Sequence, residues 1–174
     1  NGGFCNASLT HGFVNGYTRF PDEMAVIEKL GRQNLDEMEA TIKRYKIDCD
    51  FERNGELRMA VAPWQMAGLK EEAVARNKTG DHVELLDKSA IQALVKSPIY
   101  EGALFDHDGT ALVDPARLVW GLEKACLSLG VKIYENSKVE ELIDDGDQIV
   151  VKSAYGSIRA KKVALATNVY TPLI

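Results

Sequence analysis

The sequence predicts a mixed α/β protein in which parallel strands, connected by a β-meander, are interrupted by an antiparallel α+β segment. Three observations predict this fold. An amphipathic helix at 115–129 leads directly to a short apolar segment, Val131–Tyr134. Alternating segments then run from Val139 to Ala160, and turn-forming residues separate them. The last segment, Val163–Ala166, is apolar without alternation, as in a parallel strand covered on both faces.

The helix of this C-terminal block has recognisable ends. Asp114 is a good N-cap and Pro115 a good first helical residue, because proline lacks an N–H that is not needed there. Gly130 supplies the left-handed position that ends the helix. Apolar residues at three- and four-residue spacing form one stripe, which we expect a sheet to cover. They are Leu118, Val119, Leu122, Ala125, Cys126 and Leu129.

The first 45 residues read as a loop followed by a helix. Residues 1–20 are rich in Gly, Asn, Ser and Thr, which predicts a long loop, and long ordered loops often belong to functional sites. Pro21, Asp22 and Glu23 predict the start of a helix, since acidic residues favour its N-terminal end. Its apolar spacing continues to about Tyr45, with a break or kink expected at Gly31.

The middle of the chain predicts two hairpins with short helices between them. Asn54-Gly55 lies between alternating segments, a strong hairpin signal. A second hairpin is expected at His107-Asp108-Gly109, which lies between two apolar segments, 103–105 and 111–113. Between the hairpins we expect helices at 64–78 and, after the N-cap Asp87, up to residue 95, with a strand at 83–86.

These elements predict two structural units. The first is discontinuous and comprises residues 1–45 and 113–174, whereas the second comprises residues 46–112. The two ends of the chain would therefore form one domain, and the antiparallel α+β segment would be inserted between them.

Composition limits the class of protein. The chain has 174 residues, 45% hydrophobic residues and a net charge of −5, which argues against a nucleic-acid partner. No apolar run approaches the roughly 20 residues that span a bilayer, and no signal peptide opens the sequence. Three cysteines without a CxxC pair predict reduced thiols and a cytoplasmic location. The oligomeric state stays open.

Few residues suggest chemistry by themselves. The sequence has neither G-x-G-x-x-G nor G-x-x-x-x-G-K-[ST], so no phosphate-binding loop can be assigned. Gly2-Gly3 predicts a turn or a close backbone approach to a ligand. No spacing suggests a metal site. His107, with an aspartate on each side, is interpreted as part of a polar turn, with a ligand-facing base as the alternative. The adjacent acids Glu71-Glu72 and Glu140-Glu141 are expected on solvated faces.

Four segments resemble a known family. NGGF at the start, DPARL before the long helix, GVKIYENSKVEEL after it and VALATNVY at the end resemble the FAD-dependent amine and amino-acid oxidoreductases. This is the family of D-amino-acid oxidase, glycine oxidase and sarcosine oxidase. The resemblance is greatest to its bacterial branch, which includes gamma-glutamylputrescine oxidoreductase. It implies a partial FAD-binding, Rossmann-like domain interrupted by a segment of a substrate domain.

The resemblance also implies cofactor-binding residues. Asn1, Gly2 and Gly3 would approach the flavin ring, and Val139 would meet the adenine through its backbone. Ala166 and Thr167 would line the dinucleotide channel. The sequence departs from the family at Asn168, where glycine is usual. Asn tolerates left-handed dihedral angles, so the turn is expected to survive.

The implied reaction is the oxidation of a C–N bond in a small amine or amino acid, with hydride transfer to FAD. His107 and Tyr100 are weak candidates on the substrate side, and no catalytic residue is assigned. Since a phosphate-binding loop is absent, the chain is interpreted as an internal fragment that by itself is inactive and does not retain FAD. A small, non-catalytic binding or interaction module remains the alternative.

Overall fold

The computed structural model describes residues 2–173, except the side chains of residues 172 and 173. The chain divides into two compact units, the first up to Ser128 and the second from Leu129. The discontinuous division predicted from the sequence stays a prediction. Each unit is described by itself below.

The first unit combines five helices with five strands among the described residues. In chain order they are β1 (Phe4–Asn6), α1 (Phe13–Arg19), α2 (Met24–Tyr45), β2 (Glu56–Ala60), α3 (Pro63–Lys78), β3 (Val83–Leu86), α4 (Lys88–Leu94), β4 (Gly102–Asp106), β5 (Thr110–Leu112) and α5 (Pro115–Ser128). The strands form two antiparallel sheets, β2-β4-β3 and β1-β5.

The three-stranded sheet carries an apolar core on each face. Successive side chains of a strand point to opposite faces, so Leu104 of β4 faces α3, whereas Ala103 faces α4. On the first face, Leu69 and Ala73 of α3 pack against the sheet. On the second face, the fully buried Ile91 of α4 does the same. Burial of such aliphatic side chains contributes about 1.5–3 kcal/mol each.

The helix predicted after residue 20 is confirmed as α2, but its glycine has another role than a kink. Helix α2 is continuous through Gly31, which is buried. A Cβ at this position would overlap the carbonyl oxygen of Ala7. Gly31 therefore allows the segment after β1 to pass directly over the helix.

The predicted N-caps of the two later helices are confirmed. Asp87 Oδ1 accepts a hydrogen bond of 2.8 Å from the backbone N–H of Ala90, at the start of α4. Asp114 Oδ1 accepts bonds from the N–H groups of Ala116 and Arg117, at 2.9 and 3.0 Å. Each carboxylate thus satisfies backbone donors that have no partner inside the helix.

Both predicted hairpins are wrong. Strand β2, after Asn54-Gly55, pairs not with the segment before it but with β4, with Glu56 opposite Asp106. Gly55 has φ of 79°, but residues 53–55 form no turn: the N–H groups of Glu52 and Gly55 donate to carbonyl groups of β5, those of Leu112 and Thr110. At the second site, β4 and β5 flank the turn but belong to different sheets. The bend at 107–109 is confirmed, whereas the turn at Asn54-Gly55 is not, and the pairing depends on strands far away in the sequence.

The N-terminal segment is more ordered than predicted. In place of a loop over residues 1–20, the structure has β1 and α1. Phe4 lies opposite Leu112 and Asn6 opposite Thr110 in the β1-β5 ladder. Phe13 is buried and packs on Tyr17, with ring centroids 4.6 Å apart. The small polar residues of this segment predict a loop, but three of its residues form a strand whose partner lies about 100 residues later in the sequence.

The second unit contains the predicted meander. Strands β6 (Val139–Asp144), β7 (Ile149–Ser153) and β8 (Gly156–Ala160) form an antiparallel sheet in that order. The turns at 145–148 and 154–155 connect them as expected. A 3-10 helix follows at Asn168–Leu173. Asn168 has φ of 51°, so this asparagine does adopt the left-handed conformation.

The predicted parallel strands do not form in the described part of the chain. Residues 131–134 and 163–166 are irregular, and Val131 is exposed. A parallel strand needs a neighbour to accept its hydrogen bonds, and β6–β8 pair among themselves. The apolar stripe of α5 is likewise uncovered for the most part. Ala125 is buried, and Leu118 packs against Ile42 and Ile47 near the end of α2 rather than against a sheet.

Candidate functional site

A cavity of about 410 Å³ lies in the first unit, between the β2-β4-β3 sheet, helices α2 and α3, and the segment that follows β1. Its lining is dominated by charged side chains. The carboxylates are Glu28, Glu56, Glu72 and Asp106, and the guanidinium groups are Arg32, Arg58 and Arg76. Asn6, Ala7 and Ser8 line it from the β1 side.

Simple periodicity brings these charges together. Glu28 and Arg32 are four residues apart on α2, and Glu72 and Arg76 are four apart on α3, so each pair shares one face of its helix. Glu56 and Arg58 are two residues apart on β2 and share one face of the strand. Asp106 continues the same face of the sheet from β4.

Glu72 differs from its sequence prediction. It was expected on a solvated face together with Glu71, but its side chain is only 6% exposed. Helix α3 turns Glu72 toward the sheet beside Leu69 and Ala73, while Glu71 is exposed. Arg58 Nη2 lies 2.5 Å from Glu72 Oε1 and compensates its charge.

The centre of the charge network is Asp81, behind the cavity. Its side chain is 1% exposed and contacts two arginines, Arg32 through Oδ1 and Arg76 through Oδ2 at 2.6 Å. Arg76 also donates to Asp106 Oδ2 at 2.5 Å. One buried aspartate thus connects α2 with α3, and Arg76 extends the network to β4. Such buried charges are tolerated only because they are paired.

Asp106 is held in its charged form. Its burial alone would raise the pKa of the carboxyl group. The hydrogen bond and positive charge of Arg76, together with backbone donors, outweigh this effect and lower the pKa below its ordinary value. The backbone donors are Gly109 N–H at 2.8 Å and Asp108 N–H at 3.2 Å, both to Oδ1.

Two carboxylates of the lining have no arginine partner. Glu56 Oε2 accepts hydrogen bonds from Thr110 Oγ1 at 3.0 Å and Asn6 Nδ2 at 3.3 Å. Glu28 makes neither a hydrogen bond nor an ion pair within residues 2–173. Burial raises the pKa of Glu28, and the charges of Arg76 and Arg32 only partly oppose this rise.

The predicted flavin-facing residues lie next to this cavity in sequence. Asn1 lies outside the described residues. Gly2 is exposed, and a Cβ there would meet only the Phe4 ring, at 3.9 Å, so a planar ligand could approach its backbone. Gly3 is buried, with φ of 87°, and its carbonyl accepts a hydrogen bond from Val113 N–H at 2.9 Å. The missing Cβ of Gly3 serves packing within the chain, and the flavin contact of Gly2 stays a prediction.

The residues predicted at the adenine end lie in the second unit. Val139 is the first residue of β6, opposite Ser153, and an irregularity in the ladder follows it. Its backbone is therefore less regularly paired than the rest of the strand, and its contact with the adenine stays a prediction. Ala166 is exposed, and the Thr167 hydroxyl lies 2.7 Å from the Thr171 hydroxyl.

His107 and Tyr100 do not line the charged cavity. Tyr100 packs against the α4-facing side of the sheet, the opposite side from Leu104. His107 is half-exposed, stacks on Phe105 with ring centroids 3.9 Å apart, and has Nε2 3.3 Å from Glu84 Oε2. Their substrate-side role stays a prediction.

Residues 2–173 contain neither a clustered set of metal ligands nor a helix that could span a membrane. No group of three or more His, Cys, Asp or Glu is arranged to hold a metal ion. Within the same residues, no helix is both long and apolar enough to cross a membrane.

Comparison with known proteins identifies related sequences. The profile described as FAD dependent oxidoreductase matches residues 2–174. Gamma-glutamylputrescine oxidoreductase of Escherichia coli is 40% identical over 130 residues, which are 74% of this chain and 30% of that protein. The probable oxidoreductase OrdL of Haemophilus influenzae is 29% identical over 171 residues, which are 94% of this chain and 39% of that protein. The chain thus spans less than half the length of these relatives.

Solved structures show the same fold at low sequence identity. L-amino acid deaminase from Proteus myxofaciens, solved in complex with anthranilate, matches with a TM-score of 0.76 at 18% identity, over 98% of this chain and 37% of that one. Glycine oxidase from Geobacillus kaustophilus matches with a TM-score of 0.68 at 18% identity, over 91% of this chain and 42% of that one.

Proposed function

The chain belongs to the FAD-dependent oxidoreductase (DAO) family, and on this premise we propose that the full-length protein oxidises a C–N bond of a small amine or amino acid. The observation that carries the proposal is the family match over residues 2–174. A bound FAD would supply the acceptor for a hydride from the carbon next to the substrate nitrogen, which is chemistry of the cofactor itself. The tasks of this chain are to position the substrate and to exclude water.

The described residues support a division of these tasks. Gly2 would offer an unobstructed backbone to the flavin ring, and Val139, Ala166 and Thr167 would contact the adenine and dinucleotide part. Gly2 precedes strand β1, whose last residue, Asn6, lines the charged cavity. This cavity would hold a polar group of the substrate.

The cavity is built to hold charge rigidly. Ion pairs with carboxylates hold Arg32, Arg58 and Arg76 in place. Their charges would therefore not have to reorient when a substrate binds, as water dipoles would. We do not assign a general base to this cavity. His107 and Tyr100 remain substrate-side candidates on the other face of the sheet, and the alternative of a non-catalytic module has no observation in its favour.

The proposal is tested with the full-length protein under anaerobic conditions. Bound cofactor is released and identified, and the holoprotein is mixed with a panel of amines, amino acids and alcohols of equal chain length. We expect FAD to be present, and amines or amino acids to bleach its visible absorbance while alcohols do not. The proposal fails if no FAD is bound, or if no nitrogen compound bleaches it. We expect the 174-residue chain alone not to retain FAD.

A further inference from the structure

We infer that Asn54-Gly55 is a site of spontaneous deamidation in the folded protein, and that isoaspartate at residue 54 is one of the products. Asparagine followed by glycine offers little steric resistance to this reaction, because glycine has no Cβ beside the backbone nitrogen that attacks. The reaction needs only water, so it is independent of the proposed oxidation.

Deamidation joins two atoms that are already neighbours in the chain. The backbone nitrogen of Gly55 attacks Cγ of Asn54, so that an N–Cγ bond forms and the Cγ–Nδ2 bond breaks. The side-chain NH₂ group leaves as ammonia, with the proton that the Gly55 nitrogen loses. Water then adds to either carbonyl carbon of the cyclic imide and opens the ring, which gives aspartate or isoaspartate. No electrons are transferred, so neither an oxidant nor a cofactor takes part.

The structure around Asn54 allows this reaction. Residues 53–55 lie outside helices, strands and turns, and Asn54 is exposed. Within residues 2–173 its side chain makes a single hydrogen bond, a long one from Nδ2 to Glu52 Oε2 at 3.4 Å. The attacking nitrogen is restrained by the hydrogen bond from Gly55 N–H to the Thr110 carbonyl oxygen, at 3.2 Å. Breaking one bond of this kind slows the attack by about 2- to 10-fold.

A second Asn-Gly pair, Asn15-Gly16, provides an internal comparison. It lies within helix α1, where Gly16 is buried and its N–H donates to the Gly12 carbonyl oxygen at 3.1 Å. The Asn15 side-chain amide donates to the Thr10 carbonyl oxygen. Ring closure there would require α1 to open locally, which breaks several hydrogen bonds and exposes packed surface. We therefore expect Asn15 to be protected, although its local sequence is the same.

The modification would alter the chain between β5 and the charged cavity. Isoaspartate adds a carbon atom to the main chain between residues 54 and 55, and both products add a negative charge. On one side of the site, Glu52 exchanges two backbone hydrogen bonds with Leu112, at 2.8 and 2.9 Å. On the other side, Glu56 lines the cavity. Since Glu52 and Glu56 are acidic, the new carboxylate is also repelled by its neighbours.

The test incubates the full-length protein at mildly alkaline pH and physiological temperature, once folded and once unfolded in urea. Samples are digested at intervals, and the peptides that contain residue 15 or residue 54 are followed by mass spectrometry, which separates amide from acid. Isoaspartate is identified by enzymatic methylation. Asn54→Gln keeps an amide at the site but would have to form a larger imide ring, which closes more slowly. Asn15→Gln is the matched control.

In the folded protein we expect residue 54 to react within about 10-fold of its rate in urea, and residue 15 to react more than about 100-fold more slowly than in urea. In urea the two sites should react at similar rates. The residue-54 peptide should stay unmodified in Asn54→Gln and should react at the wild-type rate in Asn15→Gln.

Three results would overturn the inference. The first is equal protection of residues 54 and 15 in the folded protein, because the exposed segment would then give no access to the reaction. The second is acid at residue 54 without isoaspartate, since opening of the imide gives both products. The third is acid formation at the wild-type rate in Asn54→Gln, which would indicate direct hydrolysis of the amide.

Discussion

The buried Asp81 offers the sharpest test of how this fold is held together. Asp81 contacts Arg32 and Arg76 and has a side chain exposed by only 1%. Asp81→Asn keeps the shape of the side chain but removes its charge. Breaking a buried ion pair from one side costs about 3–5 kcal/mol, because the partner charge stays buried without compensation. Arg76 keeps Asp106 at 2.5 Å, and Arg32 is 31% exposed, so we expect the lower end, about 3 kcal/mol.

Asp36→Asn is the matched control. Asp36 Oδ1 lies 2.7 Å from Arg53 Nη1, and this arginine also contacts a second carboxylate, Glu39. Arg53 thus lies between two carboxylates, as Arg76 lies between Asp81 and Asp106, but Asp36 is 64% exposed and has one arginine partner, whereas Asp81 has two. Exposed ion pairs contribute about 0–1 kcal/mol, so the control should lose less than that.

The assay is urea unfolding followed by circular dichroism. With a slope of about 2 kcal/mol per molar urea, a loss of about 3 kcal/mol lowers the midpoint by about 1.5 M. The Asp36→Asn midpoint should move by less than about 0.5 M. Equal shifts for the two variants would refute the reasoning, because burial would then not determine the cost of losing the charge.

Three further predictions follow from single residues. Gly31→Ala should lower the melting temperature, because the added Cβ overlaps the Ala7 carbonyl oxygen. Gly68→Ala on α3, where the added Cβ meets no other atom, should raise the free energy of unfolding by about 0.5–1 kcal/mol and the melting temperature with it. Because the pKa of Asp106 is lowered on folding, the wild type should lose stability as pH falls below 3.8, and Asp106→Asn should lose less over that range. Folding raises the pKa of Glu28, so here the pH dependence runs in the opposite direction. The contribution of this carboxyl group to stability is present below pH 4.5 and is lost as pH rises. Glu28→Gln should therefore unfold at a higher temperature than the wild type at pH 7 in the absence of ligand, and an unchanged or lower temperature would contradict this.

Much of the local structure could be predicted from the sequence. Helices α2 and α5 follow apolar spacing, and Asp87 and Asp114 mark the starts of α4 and α5 with side-chain caps. The meander β6–β8 follows from short alternating segments with tight turns between them. In each case the residues that determine the element are neighbours in the sequence, and the hydrogen bonds close within it.

Strand pairing could not be predicted in the same way. Leu57 of β2 lies opposite Phe105 of β4, and Cys5 of β1 lies opposite Ala111 of β5. Asn54-Gly55 is a strong local signal for a hairpin turn, yet this segment donates hydrogen bonds to β5 instead of folding back on the residues before it. The choice of partner depends on which apolar faces meet in the folded core, which no short window contains.

The charged cavity was missed for a related reason. Glu28 and Arg32, like Glu72 and Arg76, have the four-residue spacing that is also typical of solvated helix faces. Burial distinguishes the two cases, and it arises here from the segment after β1 and from Asp81, which lie elsewhere in the sequence. The signal that could have been used is the repetition of charged pairs on three consecutive elements, α2, β2 and α3.

The oxidation of a C–N bond by hydride transfer is tested most directly by an isotope effect on flavin reduction. Full-length holoprotein is mixed anaerobically with an active amine, and with the same amine deuterated at the carbon next to the nitrogen, both at saturation. We predict that the visible absorbance of FAD is bleached by both, and several-fold more slowly by the deuterated amine. Equal rates of bleaching, or no bleaching by any amine or amino acid, would contradict the proposed reaction.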